Sequence, residues 1–323
     1  MQDPSPTRSG SGSCPNAAQG RARDARGQVE SIAHLRRICQ DPVRQYNDLA
    51  GRIYGWPLSI YVTRLLLRLQ LQADHASRMM FGCGLIGSVL LLAPGGYRVL
   101  GFAFLTAAFI LDCVDGEMAR YSRIDSYRWT AFDHLHHLTA KGLAFTCLGV
   151  GLYLEHGTAW TLLSGPVVSQ AWLALMIVRD VPSTIFVHKI VLNENREKNP
   201  AYHRLTGNLS RLGLSRPPAR PAGADTFGGT LRRRLGVVRT LFTSFDLVMP
   251  LFLIAAACEQ FLPPVPLPAP VGPQPLVSLL LHGYALLLPL HTLDVLYTGM
   301  WRGRFRSELY EMAGRVERFR ERI

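Results

Sequence analysis

The stretch Leu111 to His137, LDCVDGEMARYSRIDSYRWTAFDHLHH, concentrates the residues that could do chemistry. Asp112 and Asp115 are three positions apart, and Gly116 and Ala119 follow. On a helix these four share one face, because residues three and four apart lie one above the other. Asp133 and His137 are four apart and share a face of the next helix. Two carboxylates on one helix face near a bilayer are expensive. Insertion scales put an Asp at a helix centre at roughly 2.5–3.5 kcal/mol. Such residues line a cavity, and a bound cation neutralises them. The expected chemistry is hard-cation binding by the carboxylate oxygens of Asp112, Asp115 and Asp133. Gly116 and Ala119 leave that face without bulk, so a ligand or a second backbone can come close.

The elements that must position these groups are apolar. Six segments can be marked: 77–93, 97–114, 134–154, 158–178, 240–258 and 276–293. A helix needs roughly 20 residues to cross the hydrocarbon. The fourth and sixth segments meet that length, and the first three rely on polar ends such as Arg78 that can snorkel. Positive residues lie in alternate connections. Of the 35 Lys and Arg, 32 fall in 1–75, 116–132, 179–241 and the tail from Arg302. Six spans then put both termini and the basic loops in the cytoplasm. The expected fold is all-α and polytopic, with six transmembrane helices. Its parts are a cytoplasmic extension 1–54, disordered at first, a six-helix domain 55–300 with the basic loop 179–241, and an amphipathic C-terminal helix 301–323. This layout accounts for the net charge of +12. A nucleic-acid partner is excluded, because the charge has no aromatic interleaving and no binding motif. The six cysteines have no CxxC or zinc spacing, and the first 27 residues lack a signal-peptide core.

The stretch resembles the signature of the CDP-alcohol phosphotransferase family, D-x2-D-G-x2-A-R-x8-G-x3-D-x3-D. Asp112, Asp115, Gly116, Ala119, Arg120 and Asp133 fall on it with the eight-residue spacer intact. Upstream, PLSIYVTRLLLRLQLQADHASRMM is similar to the family's lead-in, with Asp74 and Ser77 where Asn and Thr are usual. The resemblance covers about residues 55–300. It implies membrane-bound transfer of a phosphoalcohol group from a CDP-linked donor, with CDP-diacylglycerol expected, to an acceptor alcohol. CMP is released, in phospholipid biosynthesis. It implies two divalent ions, magnesium or manganese, on Asp112, Asp115 and Asp133, and a nucleotide site at Gly116, Ala119 and Arg120. It implies membrane lipids around the chain, and a homodimer by family habit. The same habit points to a bacterial inner membrane, with the site facing the cytoplasm.

Two positions depart from the signature. Trp129 replaces the second glycine, and His137 replaces the fourth aspartate. The family's fourth aspartate is taken as the base, so His137 is the expected catalytic base. Neutral imidazole is a poorer magnesium ligand than carboxylate, which weakens a second ion or changes its kind. The alternative is an inactive relative acting as a membrane binding or scaffold protein. A transporter with a proton relay is a third reading, but the acidic pattern is not repeated in the second half.

Arg123, with Arg120, could bind an acceptor phosphate, and Lys141 could serve the acceptor, pair with an acid or snorkel. His134, His136 and His137 cluster, with His75 near the start of the first span, and could hold a nickel- or zinc-type ion. Asp246, His282, His291 and Asp294 lie in or beside the last two spans, where ionisable groups are functional candidates. The Arg232–Arg234 run suits anionic lipid.

Overall fold

The computed structural model describes residues 30–46, 49–122, 127–185, 243–266, 273–301, 304–305 and 307–312. In chain order these form α1 (Ile32–Cys39), a 3-10 turn (Asp41–Tyr46) and a π-helical turn (Gly51–Gly55). Then come α2 (Trp56–Arg68), α3 (Ala73–Leu90), α4 (Gly96–Ser122), α5 (Tyr127–His156), α6 (Ala159–Ile185), α7 (Phe245–Cys258) and α8 (Leu276–Met300). Among the described residues the one β pairing is an isolated bridge, Val265 to Gln274. Local signals explain the ends. Ser31 caps α1, its Oγ accepting the His34 N–H at 3.3 Å. Gly95 and Gly157 take φ of 63° and 68° between α3 and α4 and after α5, where a side chain would be strained.

The six apolar segments fall on α3 to α8. Three helices are long and apolar enough to cross a membrane: Gly96–Ser122, Ala159–Thr184 and Leu276–Met300. Among the described residues these three are compatible with an integral membrane protein. The apolar helix Phe245–Cys258 is shorter. α6 runs past the expected end at Val178 to Ile185, carrying Arg179 and Asp180. Charges at a helix end reach water, so they need not stop the helix. Residues 1–29, 186–242 and 313–323 lie outside the described residues. With them go most of the basic loop, the Arg232–Arg234 run, Cys14 and the end of the C-terminal helix. Among the described residues the other five cysteines form no disulfide.

The chain divides into two compact units, Met1–Cys83 with Ala107–His136, and Gly84–Thr106 with His137–Ile323. In the first, α2 buries Ser59, Ile60, Thr63 and Leu66, one face at helical spacing. Leu35, Cys39, Ile60 and Tyr121 form one buried cluster, and Leu66, Ala76, Val114 and Met118 another. The π-helical turn lies against Phe109. A Cβ on Gly55 would stand 2.9 Å from that ring.

The second unit holds an aromatic core. Phe145 lies edge-on to Phe252 at 5.3 Å and to Phe245 at 6.0 Å, and Trp172 edge-on to Phe245 at 5.6 Å. α5 and α6 meet backbone to backbone. A Cβ on Gly165 would stand 2.4 Å from the Phe145 carbonyl oxygen, and one on Gly149 2.6 Å from that of Thr161. Small residues allow this approach, which is how helices associate in lipid. Gly165→Leu is expected to force the pair apart at about 1–3 kcal/mol or more. A lowered midpoint of thermal unfolding in detergent checks it, and an unchanged midpoint would refute the tight crossing.

Polar pairs tie the same unit. Ser164 Oγ is 2.8 Å from His282 Nδ1, and His282 Nε2 is 3.3 Å from Ser278 Oγ. Ser278 donates in turn to Gln274 Oε1 at 3.0 Å. At the ends of four helices, buried Arg98 reaches Glu155 at 2.6 Å and Glu259 at 3.8 Å. Glu259 also accepts the Val277 N–H at the start of α8. Burial raises the Glu259 carboxyl above the usual range, against the Val277 N–H and the Arg98 charge.

Candidate active site

The motif helix α4 carries its polar residues on several faces, and each meets a different element. Asp112 lies on the half-buried side, where its carboxylate converges with Asp133 and His137 of α5. One ligand atom from each of these three lies within 4.8 Å of the other two. His137 begins the second unit but sits one turn beyond Asp133 on the same helix, so the helix itself sets that pair. Ligands held about 2.1 Å from one small cation lie roughly 3–4.2 Å from one another. The three groups therefore fit a single ion after a small closure. Two carboxylate oxygens and one imidazole nitrogen suit manganese better than magnesium.

Asp115 is placed differently. It is 3% exposed and accepts the Ser77 hydroxyl at 3.1 Å. Its oxygens are not among the converging ligand atoms. Ser77 is thus a direct partner of Asp115. Gly116 does not face open space. Arg120 folds back over it, and a Cβ there would stand 3.1 Å from an Arg120 guanidinium nitrogen. The Arg120 Nε donates to the Cys39 carbonyl at 2.5 Å. Ala119 is buried at 7% exposed. The room expected for a nucleotide beside Gly116 is occupied here by Arg120, a flexible side chain that can swing.

Sequence reasoning missed Glu117. It is fully buried. Its Oε1 accepts from Gln40 Nε2 at 2.7 Å and Ser59 Oγ at 2.5 Å, and its Oε2 from Thr63 Oγ1 at 2.6 Å. Glu117 thereby fastens the motif helix to α1 and α2. The available signal was Ser59 and Thr63, four apart on α2, facing a glutamate in an apolar helix.

Cys39 lies beside this anchor. Burial, then the Glu117 charge, pushes its thiol up to about 12. The nucleophile is the thiolate, so Cys39 is expected to resist maleimide at pH 8 until the protein is unfolded. Mass spectrometry of labelled peptides checks this, and rapid native labelling of Cys39 would contradict the burial.

The remaining candidates are scattered. Lys141 holds its ammonium 5.6 Å from the Phe245 ring centroid, a cation–π contact. His134 is 78% exposed and 3.8 Å from Asp133 Oδ2, and His136 is buried. Neither belongs to the converging group. His75 Nδ1 accepts the Gln72 N–H at 3.3 Å. Arg123 and the Trp129 side chain lie outside the described residues. No protein-family profile matches the chain, and no curated protein matches it.

Proposed function

We propose that this chain is a membrane enzyme transferring a phosphoalcohol group from a CDP-linked donor, CDP-diacylglycerol first among them, to an acceptor alcohol. The observation that carries the reading is the approach of Asp112, Asp133 and His137 within 4.8 Å. These are signature positions, or the position that replaces one. Asp112 and Asp133 supply oxygens for a divalent ion, magnesium or manganese, with Asp115 and Ser77 as flanking support. When bound, that ion supplies charge neutralisation at the pyrophosphate. In this reading His137, the third member of the group, stays off the ion and accepts the proton of the acceptor hydroxyl at a ring nitrogen. The acceptor oxygen bonds to the lipid-side phosphorus, and the bond to CMP breaks with its electron pair leaving on CMP. Arg120 swings from Gly116 to admit the nucleotide. The site faces the cytoplasm of a bacterial inner membrane in a six-span, homodimeric chain.

A second reading has one observation in its favour. Arg120 covers Gly116 and bonds to the Cys39 carbonyl, as it would in a relative that binds without turnover. The deciding assay is CMP release by the purified full chain in detergent. It is run with CDP-diacylglycerol, manganese or magnesium, and a panel of acceptor alcohols. Metal-dependent release is expected and names the acceptor. Folded protein that releases no CMP with any acceptor would favour the second reading.

A further inference from the structure

We infer that the first unit holds a phosphate-class anion site apart from the carboxylate cluster, in a cavity lined by Arg36, Arg44 and Arg52. The cavity has a volume of about 940 Å³. That is within the range of small-molecule pockets. Arg36 comes from α1, Arg44 from the 3-10 turn and Arg52 from the π-helical turn. Three arginines from three elements thus line one cavity, beside the Asp41 carboxylate. Guanidinium forks match the oxygens of a phosphate in pairs, so the chemistry of this lining selects a phosphate ester or its anion.

The walls are built rather than incidental. Gln40 lines the cavity and is 6% exposed. Its Nε2 donates to the Trp56 carbonyl at 3.0 Å and to Glu117 Oε1 at 2.7 Å. Arg52 donates to the Arg44 carbonyl at 3.3 Å, which joins the two turns. Trp56 closes one side with a half-buried ring. The backbone carrying the arginines is therefore held before any anion arrives, which lowers the ordering penalty of binding. The three guanidinium groups are exposed, so they reach a solute or a headgroup at the surface. The phosphate can come from two sources, a soluble phosphorylated compound or an anionic lipid headgroup.

The test uses the full chain in a non-ionic detergent, with no nucleotide present. Its thermal midpoint is followed against inorganic phosphate in one arm. The other arm uses micelles doped with phosphatidic acid, with phosphatidylcholine as the neutral control. A ligand of the native state raises the midpoint. Arg36→Gln and Arg44→Gln are each expected to raise the half-effective concentration about tenfold, the size of one lost charge-assisted bond. Arg37→Gln, an exposed neighbour outside the lining, is expected to leave it unchanged. The midpoint without ligand checks that each variant folds. A shift with free phosphate supports the site and assigns a soluble source. A shift with doped micelles alone supports it and assigns the headgroup. No shift in either arm, or an equal loss in Arg37→Gln, overturns it by reducing the effect to diffuse charge. Because no CDP-linked donor enters the assay, its failure leaves the transfer reading untouched.

Discussion

Asp112→Ala is expected to lower metal-dependent CMP release to about a thousandth of wild type or less, with the protein still folded. The magnitude follows from what the carboxylate does. Removing one charge-stabilising group aimed at a reacting centre typically loses roughly 100- to 1,000-fold. On the proposed reading Asp112 and Asp133 would hold one cation together, so loss of Asp112 would also take the ion's affinity with it. The side chain is half-buried, so alanine leaves no large unfilled space and folding is kept. His137→Ala is the companion. It should lower release steeply, as loss of the general base does. His137→Asp restores the signature carboxylate and is expected to recover part of the rate. Full turnover in the Asp112→Ala protein would remove the proposed mechanism. Undiminished release in His137→Ala would remove the histidine from the base role.

Glu117→Leu is expected to destabilise the first unit by about 3–5 kcal/mol, the scale of breaking a buried polar network by removing one partner. Three donors lose their acceptor at once: Gln40, Ser59 and Thr63. Leucine matches the volume but accepts no hydrogen bond, and α1 and α2 are then no longer fastened to α4. For a chain of this size that corresponds to a fall of roughly 10 °C in thermal midpoint. Glu117→Gln keeps one carbonyl acceptor and should lose less than half as much. Its CMP release should fall more than its midpoint does, because the anchor also sets the register of Asp112 and Asp115 on α4. Equal stability of Glu117→Leu and wild type would mean that the network is dispensable.

The pairing of Asp133 with His137 was legible because helical spacing alone dictates it. Their approach to Asp112 was expected from the signature, since an eight-residue spacer lets consecutive helices face each other. Asp115 turns to Ser77 of α3, a choice fixed by helix rotation that no spacing rule contains. Glu117 was invisible for a related reason. Its donors lie between 54 and 77 positions upstream, on α2 and at the C-terminal end of α1. For Lys141, a cation in an apolar helix suggests an acid or the interface. An aromatic face is a third solution, and the sequence does not mark Phe245 as its partner. The apolar segments themselves were plain, because lipid forces backbone bonds inside each helix. How far α6 continues past Val178 was not, since charge at a helix end is compatible with both stopping and going on.

The Ser164–His282–Ser278–Gln274 chain in the second unit has a direction. Ser278 gives its only hydroxyl proton to Gln274, so its oxygen must receive the N–H of His282 Nε2. The imidazole then offers a lone pair at Nδ1, and Ser164 must turn its proton toward it. No member can reverse alone without placing two protons, or two lone pairs, face to face. The four groups form one oriented dipole array that ties α6 to the start of α8, with two settings instead of many. Changing its setting requires a tautomer exchange at His282 together with rotation of both hydroxyls and a turn of the Gln274 amide. Deleting either serine removes that all-or-none behaviour and frees the imidazole to choose its tautomer. The histidine ring nitrogens would report this directly as a pair of shifted nitrogen resonances.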